Sequence, residues 1–194
     1  MIEPSTRKPG RPRDIDTQEA ILEATRSILL DKGYHRLTFE GVAKAAATTR
    51  STVYRWWPTR GSLVLEAAAD QIDIGEVPDT GDSRTDIRAA IRQLIETFSD
   101  PLAKIVIMAA VANLDGDLHM ASQFRENTVY PWRSTAAAAL VRAQDRGDLA
   151  PDVDPGFLLN VVVGTVFQCT IVPAAPMIDG LEDRLVDLVL PPTS

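Results

Sequence analysis

The sequence predicts an all-α fold. An N-terminal three-helix unit containing a helix-turn-helix leads into a larger helical body, with about nine helices in total. Three observations predict it. Residues 37–60, LTFEGVAKAAATTRSTVYRWWPTR, read as two short helices joined by a turn. Apolar residues recur at helical spacing, most plainly as Ile87, Ile91, Leu94, Ile95 and Phe98. Helix-boundary chemistry punctuates the chain, with Gly33 and Gly147 suited to helix stops and Asp154-Pro155 to a helix start.

The opening residues, MIEPSTRKPGRPR, offer nothing to pack, so residues 1–13 are expected to be a disordered arm. Its cations Arg7, Lys8, Arg11 and Arg13 either follow phosphates and enter a minor groove or remain solvated. A first helix, about Asp16 to Lys32, turns Ala20, Ile21, Ala24, Ile28 and Leu29 to one face and stops at Gly33. Thr38 then caps a helix that runs to about Ala46, with Leu37 and Val42 at hydrophobic-staple spacing. Thr49 caps the next, in which Val53 and Trp57 point inward one turn apart. Arg50, Thr52, Tyr54, Arg55 and Trp56 are left for the other faces. A helix bearing cations, hydroxyls and aromatic rings fits the major groove of B-DNA, where arginine can fork onto guanine.

Thr59 caps a fourth helix predicted to reach Ile74, and residues 75–83 form a loop rich in Gly, Pro and Asp. The Ile87 to Phe98 helix carries Arg84, Arg88 and Arg92 on another face, read as solvated. An apolar helix spans about Pro101 to Asn113. Asp115, Asp117 and His119 have the spacing of a metal loop, but Met120 stands where a calcium hand needs glycine, so a capped loop is expected. A long helix from Leu118 to Arg146 should kink at Pro131 and end at Gly147. The helix from Pro155 to Val172 is apolar on most sides and so expected to be buried on most sides. Pro173 and Pro176 interrupt it. The last helix, about Asp179 to Leu190, places Leu181, Leu185, Leu188 and Val189 together.

Residues 10 to about 70 resemble the DNA-binding domain of the tetracycline-repressor (TetR) family of bacterial transcription regulators. Tyr54, Trp57, Pro58 and Arg60 occupy the places of the tyrosine, aromatic, proline and basic residue that mark the end of the family's recognition helix. The resemblance implies a site made of Thr38, Arg50, Ser51, Thr52, Tyr54, Arg55, Trp56 and Arg60, joined by Arg11 and Arg13 of the arm. The sequence departs from the family at the turn, where Ala47 and Thr48 replace the usual glycine and apolar residue. A positive φ at Ala47 would cost about 1 kcal/mol. Glu40 lies where a carboxylate can approach a cytosine amine, but is read as solvated.

The same resemblance implies a DNA-binding domain over 14–60 and a regulatory and dimerisation domain over 61–194. It further implies a homodimer through helices 155–172 and 179–190 that binds a palindromic operator in double-stranded DNA. A small, largely apolar effector would release it. Phe98, Met108, Phe124, Trp132 and Phe167 are the candidate effector contacts, although aromatics and methionines at helical spacing are more often core than pocket. The alternative is a helical small-molecule-binding or protein-interaction module without specific DNA binding.

Composition agrees with this frame. With 194 residues, 45% hydrophobic and 24% charged, the chain can bury one good core or two small ones. The net charge of -7 would argue against nucleic acid were it uniform. It is not: residues 1–60 hold eleven Lys or Arg against seven Asp or Glu, and residues 61–194 nine against twenty. A basic head on an acidic body is compatible with DNA, because distant charge is screened within ~10 Å at ordinary salt. The single Cys169 excludes an internal disulfide and fits a reducing cytoplasm. No signal peptide or membrane span is expected, no metal or other cofactor is called for, and no motif of an enzyme is present.

Overall fold

Helix boundaries follow the local capping chemistry. The computed structural model describes residues 12–72, 75–112, 118–172 and 178–191, which hold eleven α-helices and no strand. Each of the nine expected helices is there, and two of them are interrupted. The chain divides between Ala67 and Ala68 into two compact units.

The first unit contains α1 (Pro12–Lys32), a 3-10 turn (Tyr34–Arg36), α2 (Phe39–Ala45), α3 (Arg50–Trp56) and α4 (Arg60–Ala67). α1 begins four residues before the expected start, since Pro at the first turn needs no hydrogen-bond partner for its nitrogen. It therefore takes Arg13 out of the expected arm; Arg7, Lys8 and Arg11 lie outside the described residues. Gly33 ends α1 at φ 73°, its amide donating to Leu29 O at 2.9 Å. Ile21, Leu22, Ala24, Thr25 and Leu29 are buried, whereas Ala20, expected inside, is exposed. Leu37, Val42, Val53, Leu63 and Val64 complete this core, with Trp57 beside them.

The second unit contains α5 (Ala69–Ile72), α6 (Ser83–Ser99), α7 (Pro101–Ala112), α8 (Leu118–Phe124), α9 (Tyr130–Asp145), α10 (Pro155–Thr170) and α11 (Leu181–Val189). The helix expected over 59–74 is thus broken at Ala68, and residues 73–74 lie outside the described residues. α6 is the central element, against which α7, α9, α10 and α11 all pack. Its Ile87, Ile91, Leu94 and Phe98 are buried as their spacing predicts.

Pro131 interrupts the long helix in a specific way. A π-helical turn, Arg125–Val129, precedes α9, and the Tyr130 amide reaches back five residues to Arg125 O. The wider turn gives room for a proline ring that would otherwise meet the carbonyl four residues earlier. Asp115, Asp117 and the His119 side chain lie outside the described residues, as do Pro173 and Pro176.

Three expectations about faces need correction. α10 is buried along one stripe, Leu159, Val162, Val166 and Cys169, while Phe157 is 66% exposed. In α11 it is Val186 that joins Leu181, Leu185 and Val189 inside, and Leu188 is exposed. The arginine row on α6, read as a solvated face, is paired with α11, Arg84 and Arg88 half-buried and Arg92 still exposed. Arg84 pairs with Asp187 and donates to Leu190 O at 2.9 Å, Arg88 pairs with Glu182 and Asp183, and Arg92 donates twice to Glu182 at 2.9 and 3.1 Å. Glu182 and Asp183 sit in the first turn of α11, where the helix dipole also favours their charge.

Candidate DNA interface and effector cavity

Hydroxyl caps and a left-handed alanine build the turn between α2 and α3. Thr38 Oγ1 accepts from the Gly41 amide at 3.1 Å, starting α2. At its end the Ala47 amide donates to Lys44 O at 3.3 Å and the Thr48 amide to Ala43 O at 2.9 Å, the paired bonds of a Schellman motif. That motif requires a left-handed residue, and Ala47 adopts φ 49° without being glycine. Thr49 Oγ1 then accepts from the Thr52 amide at 3.2 Å and shares hydrogen bonds with the Ser51 and Thr52 hydroxyls, both at 2.9 Å.

α3 is anchored by Val53 and Trp57, 0% and 2% exposed. The Trp57 indole N–H donates to Glu66 Oε2 at 2.7 Å, and Glu66 also accepts from Gln18 Nε2 at 3.1 Å. Glu66 thereby ties the end of the helix to α1 and α4. Its role was not visible in the sequence, although a buried indole N–H implies an acceptor somewhere.

The outward side of α3 carries Arg50, Ser51, Tyr54 and Arg55, all exposed, with Thr52 and Trp56 half-buried. Arg50 donates to the Tyr54 hydroxyl at 3.2 Å and lies 5.1 Å from its ring centroid. The Tyr54 ring meets Phe39 edge-on at 4.3 Å. Arg55 lies 5.9 Å from the Trp56 ring. Glu40, expected to be solvated, forms an ion pair with Arg50. The Tyr54 hydrogen bond, and after it the Glu40 carboxylate, raise the Arg50 pKa above its ordinary value. Arg60 is half-buried, donating to Leu37 O at 2.9 Å with its guanidinium 4.9 Å from the Tyr34 ring, so it braces α4 against the entry to α2. Arg11 lies outside the described residues and Arg13 within the first turn of α1.

In the second unit, Phe98, Phe124, Trp132 and Phe167 border one cavity of about 170 Å³ with Leu94 and Ile107. Phe98 and Phe167 meet edge-on at 6.3 Å. The wall is carbon almost throughout, Thr97, Thr128 and Arg133 bordering it with their carbon atoms. Met108, the fifth candidate, is 37% exposed and lies outside this lining. The Trp132 indole is buried, and its N–H meets no acceptor among the described residues.

Deep in the same unit, Asp86 is almost wholly buried, receiving the Thr80 hydroxyl at 2.7 Å, the Thr80 amide at 2.9 Å and Arg146 at 3.4 Å. Burial pushes its carboxyl pKa up, but the Thr80 bonds and Arg146 outweigh this and hold it below the ordinary range. The group locks the loop before α6 to the end of α9. Among the described residues no cluster of His, Cys, Asp or Glu is placed to hold a metal ion, and no helix is long and apolar enough to cross a membrane.

A short helix pair joined by a tight turn, its second helix anchored from behind and cationic in front, defines a helix-turn-helix regulator of transcription. Residues 21–67 match the family profile "Bacterial regulatory proteins, tetR family", and residues 77–189 match "Tetracyclin repressor-like, C-terminal domain". The chain belongs to the TetR family. It is 29% identical over 188 residues to the uncharacterized HTH-type transcriptional regulator YdeS of Bacillus subtilis (strain 168), covering 94% of this chain and 91% of that protein. To the DNA-binding transcriptional repressor TetR of Mycobacteroides abscessus it is 30% identical over 174 residues, 88% and 90% of the two chains. The crystal structure of AibR in complex with isovaleryl coenzyme A and operator DNA shares the fold, with a TM-score of 0.65 at 19% identity over 91% of this chain and all of that one.

Proposed function

We propose that the protein is a cytoplasmic repressor that binds an inverted-repeat operator as a homodimer and is released by a small apolar effector. The observation that carries the reading is the split character of α3. Val53 and Trp57 fix it from behind while Arg50, Tyr54 and Arg55 face outward. In this reading Arg50, Thr52, Tyr54 and Arg55 discriminate between bases, and Thr38, Ser51, Trp56 and Arg60 contact the backbone. The basic balance of residues 1–60 supports it, as phosphate contacts supply much of the affinity.

The dimer would use α10 and α11. Phe157, Val161, Gly164 and Gln168 fall at i, i+4, i+7 and i+11 along the outward side of α10, and a Cβ at Gly164 would meet nothing within 4 Å. A small residue at that point admits a close second helix. A two-fold dimer presents two α3 helices to successive major grooves, which is why the operator should be an inverted repeat.

The effector would enter the 170 Å³ cavity. A dry cavity of ~150 Å³ holds benzene, so a body of roughly one ring is indicated, neutral and largely apolar to match the carbon wall. AibR, solved with both a ligand and operator DNA, supports a protein of this fold serving both roles. Release needs tighter effector binding to the DNA-incompetent state; a coupling of ~1–3 kcal/mol weakens operator binding about 5- to 150-fold.

The test is selection of bound sequences from a random duplex library by wild type and Tyr54→Ala. Enrichment of one inverted repeat by wild type alone supports the proposal and supplies the operator for release assays. Uniform, steeply salt-dependent binding by both proteins would sink it.

A further inference from the structure

The Glu40–Arg50 pair joins the two helices of the motif at the surface that faces outward. Arg50 is the first residue of α3, and Glu40 lies in the first turn of α2. Both side chains are more than half exposed, at 55% and 60%. Their placement is nonetheless held from two sides. Arg50 Nη1 meets Glu40, while Nη2 donates to the Tyr54 hydroxyl at 3.2 Å. The Tyr54 ring is in turn seated on Phe39, the neighbour of Glu40, at 4.3 Å. Residues at the start of a recognition helix are those that reach base edges.

We propose that Glu40 and Arg50 read one G·C base pair as a unit. This rests on α3 being the DNA-reading helix. In the major groove a G·C pair shows two acceptors, guanine N7 and O6, followed by one donor, the cytosine N4 amine. The joined side chains show the complement: guanidinium donors from a group with five N–H bonds, followed by a carboxylate acceptor. Guanine takes Arg50, and the cytosine amine takes Glu40. An A·T pair fails on both halves. The adenine amine faces a cation that can only donate, and thymine O4 faces a carboxylate that can only accept. Glu40 is therefore a specificity residue that rejects the wrong pair, beyond its effect on the position of Arg50. The competing account makes the carboxylate a simple repellent of phosphates, neutralised by Arg50. The two accounts differ in sign.

The experiment is sequence selection with full-length wild type, Glu40→Ala and Arg50→Ala, each first shown to keep wild-type helix content and melting temperature. Wild type should enrich an inverted repeat with a fixed G·C pair in each half. Both variants should lose that preference at the same position and keep the others. In competition binding, the wild-type preference for G·C over A·T there should be roughly 5- to 150-fold and fall towards parity in either variant. Inosine·cytosine, which presents the same major-groove edge, should bind as G·C does. Tighter binding of Glu40→Ala to every operator alike, with an unchanged selected sequence, would overturn the proposal. So would loss of preference at two different positions. Failure of wild type to enrich any repeat would remove the DNA-reading assignment of α3 itself, an outcome distinct from both.

Discussion

Two helix ends in this protein use the same Schellman motif, one with alanine and one with glycine, and they set up opposed substitutions. At the end of α2, Ala47 takes φ 49°. At the end of α9, Gly147 takes φ 82°, with its amide on Gln144 O and the Asp148 amide on Ala143 O, both at 2.9 Å. A left-handed L-residue costs ~1–2 kcal/mol. Replacing Ala47 by glycine removes that cost but returns ~0.4–1 kcal/mol through the freer unfolded chain. Ala47 is exposed, so little packing is lost with its methyl. The net expectation is stabilisation by about 0.5–1 kcal/mol. Gly147→Ala should destabilise by a similar amount, purely through the backbone, because a Cβ there meets nothing within 4 Å. Urea and thermal unfolding followed by circular dichroism measure both, with an expected thermal shift of about 1–4 °C in opposite directions. Operator affinity should be unchanged by Ala47→Gly, since glycine adopts the geometry already present. Destabilisation by Ala47→Gly, or the same sign for both variants, would refute the assignment of strain to the turn.

Other expectations follow from single contacts. Glu66→Ala leaves the buried Trp57 N–H without its acceptor and should destabilise by about 1–3 kcal/mol, measured by urea unfolding, while Glu66→Gln should lose less. Arg92's hydrogen bonds, opposed by partial burial and aided by Arg88, hold Glu182 below its ordinary pKa of 4.5, and Arg88 does the same to Asp183 below 3.8. Their stabilisation is therefore complete above those values and lost as pH falls through the depressed ones. Melting curves of wild type and Glu182→Gln should differ at pH 7, and the gap should begin to close as pH falls below the ordinary 4.5 and vanish only below the depressed value; a constant gap would show that charge is irrelevant there. Phe157→Asp should convert a dimer to monomer in light scattering, and a variant still dimeric would exclude the outward side of α10 as the interface.

Much of the fold was legible because its signals are local. Thr38, Thr49 and Asp154 cap helices through bonds to amides two or three residues away, and Gly33 and Gly147 end them through the backbone alone. The anchors Val53 and Trp57 follow from helical spacing, and so does the outward set on α3. The candidate cavity was half legible: the aromatic residues could be named, but spacing alone does not separate core from lining. Met108 shows the limit, since its place on α7 depends on which sides α5, α6 and α8 cover.

The series of helices, their caps and the helix-turn-helix follow from the amino-acid order alone, because each is set within one or two turns of chain. Tertiary structure decided which charged side chains meet. Arg92 and Glu182 are 90 positions apart, Trp57 and Glu66 lie on different helices, and Glu40 finds Arg50 only across the turn. It also decided that α10, apolar nearly all round, has a side that the other described residues leave exposed. Helix periodicity specifies a face, but the partner of that face is chosen by packing distant segments together, and that information is spread over the whole chain.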